Sequence, residues 1–251
     1  RDYAYAGSFY AYAIWIGLGV LSIWEFLNKK IKNIDPRVSA IAVTTVCLFA
    51  IPVNMAAQNW DDHNRHARYA TTAHARNYLN SCAPNAILFT YGDNDTFPLW
   101  YVQEVEGVRR DVRVVNLSLL SGSWYIDQMK RKAYESSGVP ISFTHEQYRD
   151  GKRDYVLIRD QFKEGNLKDV MEFVASDLPQ TKLQGYIKEL DFIPTRNVIL
   201  PVDSAKVIAN GTVKPQDADQ IVKDLRLHLP MQGLTKSQLM VLDILSTNNW
   251  E

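Results

Sequence analysis

Two long runs without a charged residue lie close together near the start of the chain, and they constrain its fold more than any other feature. The first extends from Phe9 to Trp24, and the wider stretch from Tyr3 to Leu27 holds only Glu25. The second covers the 20 residues from Val38 to Ala57. A helix of about 20 residues crosses the hydrocarbon core of a bilayer, which is about 30 Å thick. We therefore predict two transmembrane helices, at about residues 3–27 and 38–57.

The segment between the two runs predicts how this hairpin is oriented. Its basic residues outnumber its single acidic residue, Asp35, and give it a local net charge of +3. The basic residues are Lys29, Lys30, Lys32 and Arg37. Because basic loops stay on the cytoplasmic side of a membrane, we expect this loop in the cytoplasm and residues 58–251 on the opposite side.

Two other interpretations of the apolar runs are possible. They could be buried core helices of a soluble protein, or the first could be a secretory signal peptide. A pair of runs with a basic turn favours a membrane hairpin over both. Pro52 lies inside the second run, where it predicts a kink. We expect such a hairpin to contact the lipid bilayer and to pack against further transmembrane helices of a longer protein, of which this chain is a segment.

Composition limits the partners of the rest of the chain. The 251 residues include 28 basic and 28 acidic side chains, so the formal net charge is zero. Residues 1–57 carry +2 and residues 58–251 carry −2. A nucleic-acid-binding protein usually has a marked basic excess, so we expect no nucleic-acid partner.

Beyond residue 57 the pattern predicts an α/β domain with a partly parallel sheet. The stretch Asn59–Asn80 is typical of a helix. A strand, helix, strand, helix series follows within about 50 residues, which is the pattern of a parallel β-α-β unit. Its members are a strand at Ala86–Thr90, a helix capped by Thr96 and ending at Gly107, a strand at Asp111–Leu117 and a helix at Trp124–Ser137. Later we expect strands at Asp154–Ile158, Asn197–Val202 and Leu225–Leu229, and helices at Asn166–Ser176 and Thr235–Asn248.

The loop from Gly92 to Thr96 is the sharpest candidate site in this domain. It lies between a predicted strand and a helix N-terminus, where ligands bind in open α/β sheets. Asp93, Asn94, Asp95 and Thr96 could coordinate a hard cation or hydrogen-bond the hydroxyls of a sugar. Asp93-Asn94-Asp95 also matches the short Asp-x-Asp signature of nucleotide-sugar transferases, although such donors are not expected outside the cytoplasm. The alternative is a loop in which these residues make only turn and capping bonds.

A second cluster consists of Asp61, Asp62, His63 and His66. His63 and His66 are three residues apart and could share a helix face with Asp62, as metal ligands do in a metal hydrolase. The simpler interpretation is an acidic first helical turn followed by solvated histidines. The other motifs of hydrolytic or phosphate chemistry are absent from the sequence, and we predict no metal and no cofactor.

Long strings of this sequence resemble one large family of bacterial multispanning membrane proteins, which is common in the Bacteroidota and is similar to the vertebrate O-mannosyltransferase that acts on IPT domains. The strings are RDYAYAGSFYAYAIWIGLGVL, AAQNWDDHNRHARYA, NYLNSCAPNAILFTYGDNDTFPLWYVQEVEGVRRDVRVVNLSLL, WYIDQMKRKAYES and LTKSQLMVLDILSTNNW. The chain differs from the usual family pattern at Asn64, where an acidic residue is common, and at Tyr91, where an Asn is common.

The resemblance implies a glycosyltransferase of the GT-C type. Such an enzyme takes mannose from a polyprenyl-phosphate donor and transfers it to Ser or Thr of an exported protein. The implied location is the bacterial inner membrane, with residues 58–251 in the periplasm. Arg1, Asp2 and Tyr3 would lie at the outer membrane face, where the Arg could bind the donor phosphate, although Arg and Tyr also anchor helices at interfaces. The alternative function is a non-catalytic domain, held by a membrane hairpin, that binds a glycan or an exported protein.

Overall fold

A computed structural model describes residues 6–31, 33–64, 66–184 and 190–250 of the chain. Contacts divide the chain into two units, Arg1–Arg68 and Tyr69–Glu251, and each is described by itself. The predicted donor-phosphate residues Arg1, Asp2 and Tyr3 lie outside the described residues.

The first unit is helical. Helix α1 covers Ala6–Lys30 and helix α2 covers Pro36–Leu48; a π-helical segment, Phe49–Val53, then leads into α3, Asn54–His63. The π-helical segment holds Pro52, which has no N–H to donate and so cannot continue the α-helical bonding pattern. The stretches Gly7–Lys30 and Pro36–Asp61 are long and apolar enough to cross a membrane.

A small polar cluster closes the turn of this hairpin. Trp24 donates its indole N–H to the hydroxyl of Ser39 at 3.1 Å, and that hydroxyl donates to the side-chain oxygen of Asn28 at 2.8 Å. The carboxylate of Asp35 accepts a bond from the backbone N–H of Arg37 and so caps α2. These bonds fix the ends of α1 and α2 relative to each other.

One predicted helix is wrong. The stretch Asn59–Asn80 is not continuous, because α3 ends at His63 and helix α4 covers Ala70–Asn80. Asn64 has an extended backbone, and its side-chain oxygen accepts a bond from the backbone N–H of His66. Ala67 has a positive φ of 67°. Asn side chains compete with helical hydrogen bonds by making such local turn bonds, so α3 does not continue beyond His63.

The predicted parallel β-α-β unit at the start of the second unit is confirmed. Strands β1, Ile87–Thr90, and β2, Arg113–Asn116, pair in parallel with Thr90 opposite Asn116. Helix α5, Asp93–Glu104, connects them and packs on the pair. The carboxyl ends of both strands therefore lie at one edge, beside the N-terminus of α5.

The helix ends in this unit differ from the prediction. Helix α5 begins at Asp93, directly after Gly92 with a positive φ of 90°, so Thr96 lies inside the helix and does not cap it. The next helix, α6, covers Ser123–Met129 and ends eight residues earlier than predicted. It stops because the following residues form a tight turn, in which Tyr134 has a positive φ of 53°.

The rest of the second unit has the expected mixed α/β character. Two further sheets are formed by the strands β3 (Tyr155–Ile158), β4 (Gly165–Asn166), β5 (Lys182–Leu183), β6 (Leu190–Ile193), β7 (Asn197–Pro201), β8 (Asp224–His228) and β9 (Gly233–Thr235). Their strand orders are β5-β6-β3-β9 and β4-β7-β8, and each sheet combines parallel with antiparallel pairing. The helices are α7 (His145–Tyr148), α8 (Leu167–Ala175), α9 (Ser204–Ala209) and α10 (Lys236–Thr247).

Helix α10 anchors the main core. Thr235 and Gln238 form the capping box that their spacing predicts. The apolar face of the helix, which includes Leu239 and Met240, is buried in the main hydrophobic cluster. Asp243 is also fully buried on this helix, and its carboxylate accepts bonds from both the N–H and the hydroxyl of Ser142. Burial raises the pKa of Asp243.

An arginine ties the end of α4 to the sheet. Arg109 forms a bidentate pair with Asp111 at 2.8 and 2.9 Å, and it also donates to the carbonyls of Leu79, Cys82 and Ala83. The hydrogen bonds from Arg109 lower the pKa of Asp111 to about 2. Asp111 in turn accepts a bond from the backbone N–H of Asn85, just before β1.

We predict that Asp111→Asn destabilises the protein at neutral pH by about 1 to 2 kcal/mol, because it removes the charged half of this pair. The pKa of Asp111 is lowered on folding, so its contribution is present above its usual value and is lost as the pH falls toward about 2. Thermal unfolding of the full chain in detergent between neutral and acidic pH measures this difference. Asp219→Asn, at an exposed position, is the control. Equal acid sensitivity of the wild type and Asp111→Asn would contradict the prediction.

Candidate functional site

The site at the carboxyl edge of β1 and β2 is built on a buried hydroxyl network. Thr96 donates its hydroxyl proton to the backbone oxygen of Gly92 at 2.7 Å, and it accepts from the side-chain N–H of Asn116 at 2.8 Å. The hydroxyl of Thr90 lies 2.8 Å from that of Thr96. Thr96 is fully buried. Its hydroxyl therefore holds the loop against both strand ends and has no free bond for a ligand.

The other predicted residues of this loop face solvent. Asp93, Asn94 and Asp95 are exposed in the first turn of α5, and the described part of the chain offers their side chains no hydrogen-bond partner. Their oxygens can accept bonds from ligand hydroxyls or from backbone N–H groups of a bound peptide. The N-terminus of α5 also stabilises their negative charge. Gly92 permits the sharp entry into the helix, because its φ of 90° disfavours any residue with a side chain.

The second predicted cluster is described only in part. Asp61 and His66 are exposed, but α3 ends at His63 and the turn at Asn64 separates His66 from the helix. The predicted shared helix face therefore does not extend to His66. The side chains of Asp62 and His63 lie outside the described residues. Within the described ranges, no group of three His, Cys, Asp or Glu side chains could hold a metal ion.

The structure brings together one group that sequence reasoning missed. The carboxylate of Asp127, on α6, lies 3.0 Å from Nδ1 of His145 and accepts a bond from the hydroxyl of Tyr148 at 2.6 Å. These bonds lower the pKa of Asp127, and burial raises that of Tyr148. A carboxylate that contacts one ring nitrogen of a histidine fixes the orientation of the ring. Asp127 and His145 are 18 residues apart, and no spacing motif marks them.

We predict that Thr96→Val destabilises the protein by about 1 to 3 kcal/mol, because it leaves the buried polar groups of Thr90 and Asn116 without their shared partner. Valine keeps the shape of threonine, so the change isolates the hydroxyl. Thr71→Val, at an exposed position in α4, is the matched control. Thermal unfolding of the full chain in detergent compares the two variants. An equal effect of both would show that the network contributes nothing specific.

Comparison with known proteins gives one match. No curated protein and no solved structure matches the chain. A family model described as TMEM260-associated domain 2 matches residues 71–251, which is almost the whole second unit and more than half of the chain. The chain therefore belongs to the TMEM260-associated domain 2 family.

Proposed function

We propose that the chain is part of a membrane glycosyltransferase of the GT-C type, which transfers mannose from a polyprenyl-phosphate donor to Ser or Thr of exported proteins. One observation carries this proposal: a pair of membrane-length apolar helices precedes a domain of the TMEM260-associated family. That combination supports the membrane protein O-mannosyltransferase resemblance of the sequence.

The exposure of the hairpin supports a membrane location. In the most apolar stretch of the first helix, 0% of the residues are buried, and in that of the second helix 6% are buried. Large apolar side chains such as Trp15, Leu18 and Ile41 are each more than half exposed. In water this surface would be strongly unfavourable, so we propose that lipid and further transmembrane helices cover it. The basic turn supports a cytoplasmic loop, and we propose that residues 58–251 lie in the periplasm of a bacterial inner membrane.

The proposed reaction inverts the configuration at the anomeric carbon. The acceptor hydroxyl oxygen attacks C1 of mannose, the bond from C1 to the phosphate oxygen breaks, and polyprenyl phosphate leaves with the electron pair. A carboxylate elsewhere in the full-length protein takes the hydroxyl proton. Arg1, with Asp2 and Tyr3 beside it, would stabilise the charge on the leaving phosphate by a bidentate contact. Asp93, Asn94 and Asp95 would position the acceptor through its backbone or its hydroxyls.

A second candidate function has a specific observation in its favour. The second unit has its own hydrophobic clusters. It exposes the side chains of Asp93, Asn94 and Asp95, which have no hydrogen-bond partner among the described residues. These features suit a non-catalytic domain that binds a glycan or an exported protein. Binding of an acceptor peptide or glycan, without turnover in membranes, would favour this function over transfer.

We predict that a cysteine in the basic turn and a cysteine in the second unit react from opposite sides of the membrane. Asn33→Cys and Lys214→Cys serve as the probes, in a chain whose own Cys47 and Cys82 are replaced by Ser. In inverted and right-side-out bacterial membrane vesicles, a membrane-impermeant maleimide should label Asn33→Cys only from the cytoplasmic face. It should label Lys214→Cys only from the other face. Labelling of both positions from one face would contradict the hairpin.

We predict that membranes containing the full-length protein transfer mannose from polyprenyl-phosphate mannose to a Ser- or Thr-containing peptide. Arg1→Ala should reduce this transfer at least about tenfold, since it removes a charge-assisted contact to the donor phosphate. Arg37→Ala changes a basic residue of the turn and is the matched control. Radiolabelled mannose in the peptide measures the transfer. The proposal fails if the wild-type membranes transfer no mannose, or if Arg1→Ala and Arg37→Ala behave alike.

A further inference from the structure

The second unit contains a cleft that none of the predicted site residues lines. Its volume is about 520 Å³, and it lies between α5, β2, α6 and the turn after α6. Its walls combine aromatic, basic and amide side chains, chiefly Trp100, Trp124, Tyr134, Arg110, Arg113 and Lys132. Ligand pockets in proteins typically enclose about 300 to 1,000 Å³, so the cleft could hold one or two sugar-sized rings.

Aromatic side chains give the cleft flat apolar surfaces. Trp124 is 60% exposed and Tyr134 is 50% exposed. The indole of Trp124 contacts the ring of Tyr125 edge to face at 5.5 Å, and the guanidinium of Arg110 lies over the ring of Tyr134 at 4.5 Å. These contacts hold the rings in place. Rigid, exposed aromatic rings of this kind are suited to stack on the flat face of a ligand.

The charge of the cleft differs from that of the unit around it. Four basic residues, Arg110, Arg113, Arg131 and Lys132, and a single carboxylate, Glu104, give the lining a formal charge of +3. Residues 69–251 together have 21 basic and 23 acidic side chains and a net charge of −2. The cleft therefore concentrates positive charge in a domain that is slightly negative, which favours an anionic ligand.

Among the described residues, these four cations form no ion pair within 4.0 Å. Ion pairs elsewhere in the unit engage Arg109, Arg153 and Lys182, for example. Within the described part of the chain, none of the four cleft cations has a carboxylate oxygen within 4.0 Å. Glu104 instead accepts a bond from the hydroxyl of Tyr134. Positive charge that the protein leaves unpaired is available to an anion from outside.

Arg113 has the strongest need for such an anion. It is 7% exposed, and its Nη2 donates to the carbonyls of Gln128, Met129 and Arg131 at 2.6 to 3.1 Å. Its buried Nε has no hydrogen-bond partner among the residues that the structure describes. Burial lowers its pKa, which shows that the surroundings disfavour its charge. A buried charge that is left without a counter-charge is costly, and a bound anion in the cleft would offset that cost.

We propose that this cleft binds an anionic saccharide, that is, a sugar ring that carries a carboxylate or a phosphate group. The ring would stack on Trp124 and Tyr134, and the anionic group would face Arg113 and Lys132. Glu104 and the exposed amide of Gln128 offer acceptors for sugar hydroxyls. Glu104 also disfavours polyanions such as nucleic acid. The inference rests on the cleft alone and does not depend on the proposed mannosyl transfer.

Isothermal titration calorimetry of the full chain in detergent tests the proposal. The probes are glucuronic acid, mannose 6-phosphate, neutral mannose, inorganic phosphate and a hexaglutamate peptide. We expect at least one of the two anionic sugars to bind at least about tenfold more tightly than mannose and than phosphate, because both the ring and the charge contribute. Its binding should weaken as the salt concentration rises.

Variants at exposed positions separate the two contributions without disturbing the core. Trp124→Ala should weaken the binding of the anionic sugar at least about tenfold, and Lys132→Glu should do the same. The matched controls, Phe162→Ala and Lys214→Glu, change an exposed aromatic and an exposed lysine outside the cleft and should leave the binding unchanged. Circular dichroism checks the fold of each variant. The proposal is overturned if neither anionic sugar binds, if mannose or phosphate alone binds equally well, if hexaglutamate binds more tightly, or if the cleft variants match their controls.

Discussion

Three arginine side chains of the second unit satisfy the carbonyl groups that helices α4, α6 and α8 leave unpaired at their C-terminal ends. Arg109 donates to the end of α4, Arg113 to the end of α6, and Arg153 to the carbonyls of Val174, Ala175 and Ser176 at the end of α8. The last four carbonyls of a helix have no partner within it, and a guanidinium supplies several donors in a fixed geometry. Arg113 is the first residue of β2, and Arg109 lies in the loop that precedes this strand. Arg153 lies just before β3. The same contacts therefore tie the C-terminal ends of these helices to the starts of the strands.

The two units differ in how much of their apolar surface is buried. In the second unit, helices and sheets cover each other, and one cluster of buried side chains extends from β2 to α10. In the first unit, most of the apolar side chains of the two long helices are exposed. Burial of apolar area contributes roughly 25 cal/mol per Å², so covering this exposed surface would be strongly favourable. The polar cluster of Trp24, Asn28 and Ser39 can close the hairpin turn without apolar contacts, since it depends on hydrogen bonds.

Local patterns predicted the elements well and the sites less well. The apolar runs, the β-α-β unit around Ile87–Asn116 and the capping box at Thr235 all follow from signals within a few residues. The break at Asn64 and the early end of α6 each depend on a single turn. In these turns Ala67 and Tyr134 have a positive φ, which neither residue type predicts. The sequence predicts Thr96 as a ligand-binding residue, yet its hydroxyl accepts a hydrogen bond from Asn116, which is 20 residues away. The cleft and the Asp127–His145 pair join residues far apart in sequence, which periodicity cannot detect.

At the two ends of the β-α-β unit, helix dipoles offset the charged side chains to different extents. At the carboxyl edge, Asp93 and Asp95 lie at the N-terminus of α5, where a helix dipole equivalent to roughly half a positive charge stabilises them without any ligand. At the other end, Arg110 and Arg113 contact carbonyls that end α5 and α6, so helix dipoles offset some of the positive charge there as well. Two helix ends supply about one negative charge between them, against a lining of +3. The remainder is about two positive charges in a cleft with a desolvated arginine, and no described carboxylate oxygen lies within 4.0 Å of the four cleft cations. The cleft therefore favours an anion more strongly than the acidic loop favours a cation.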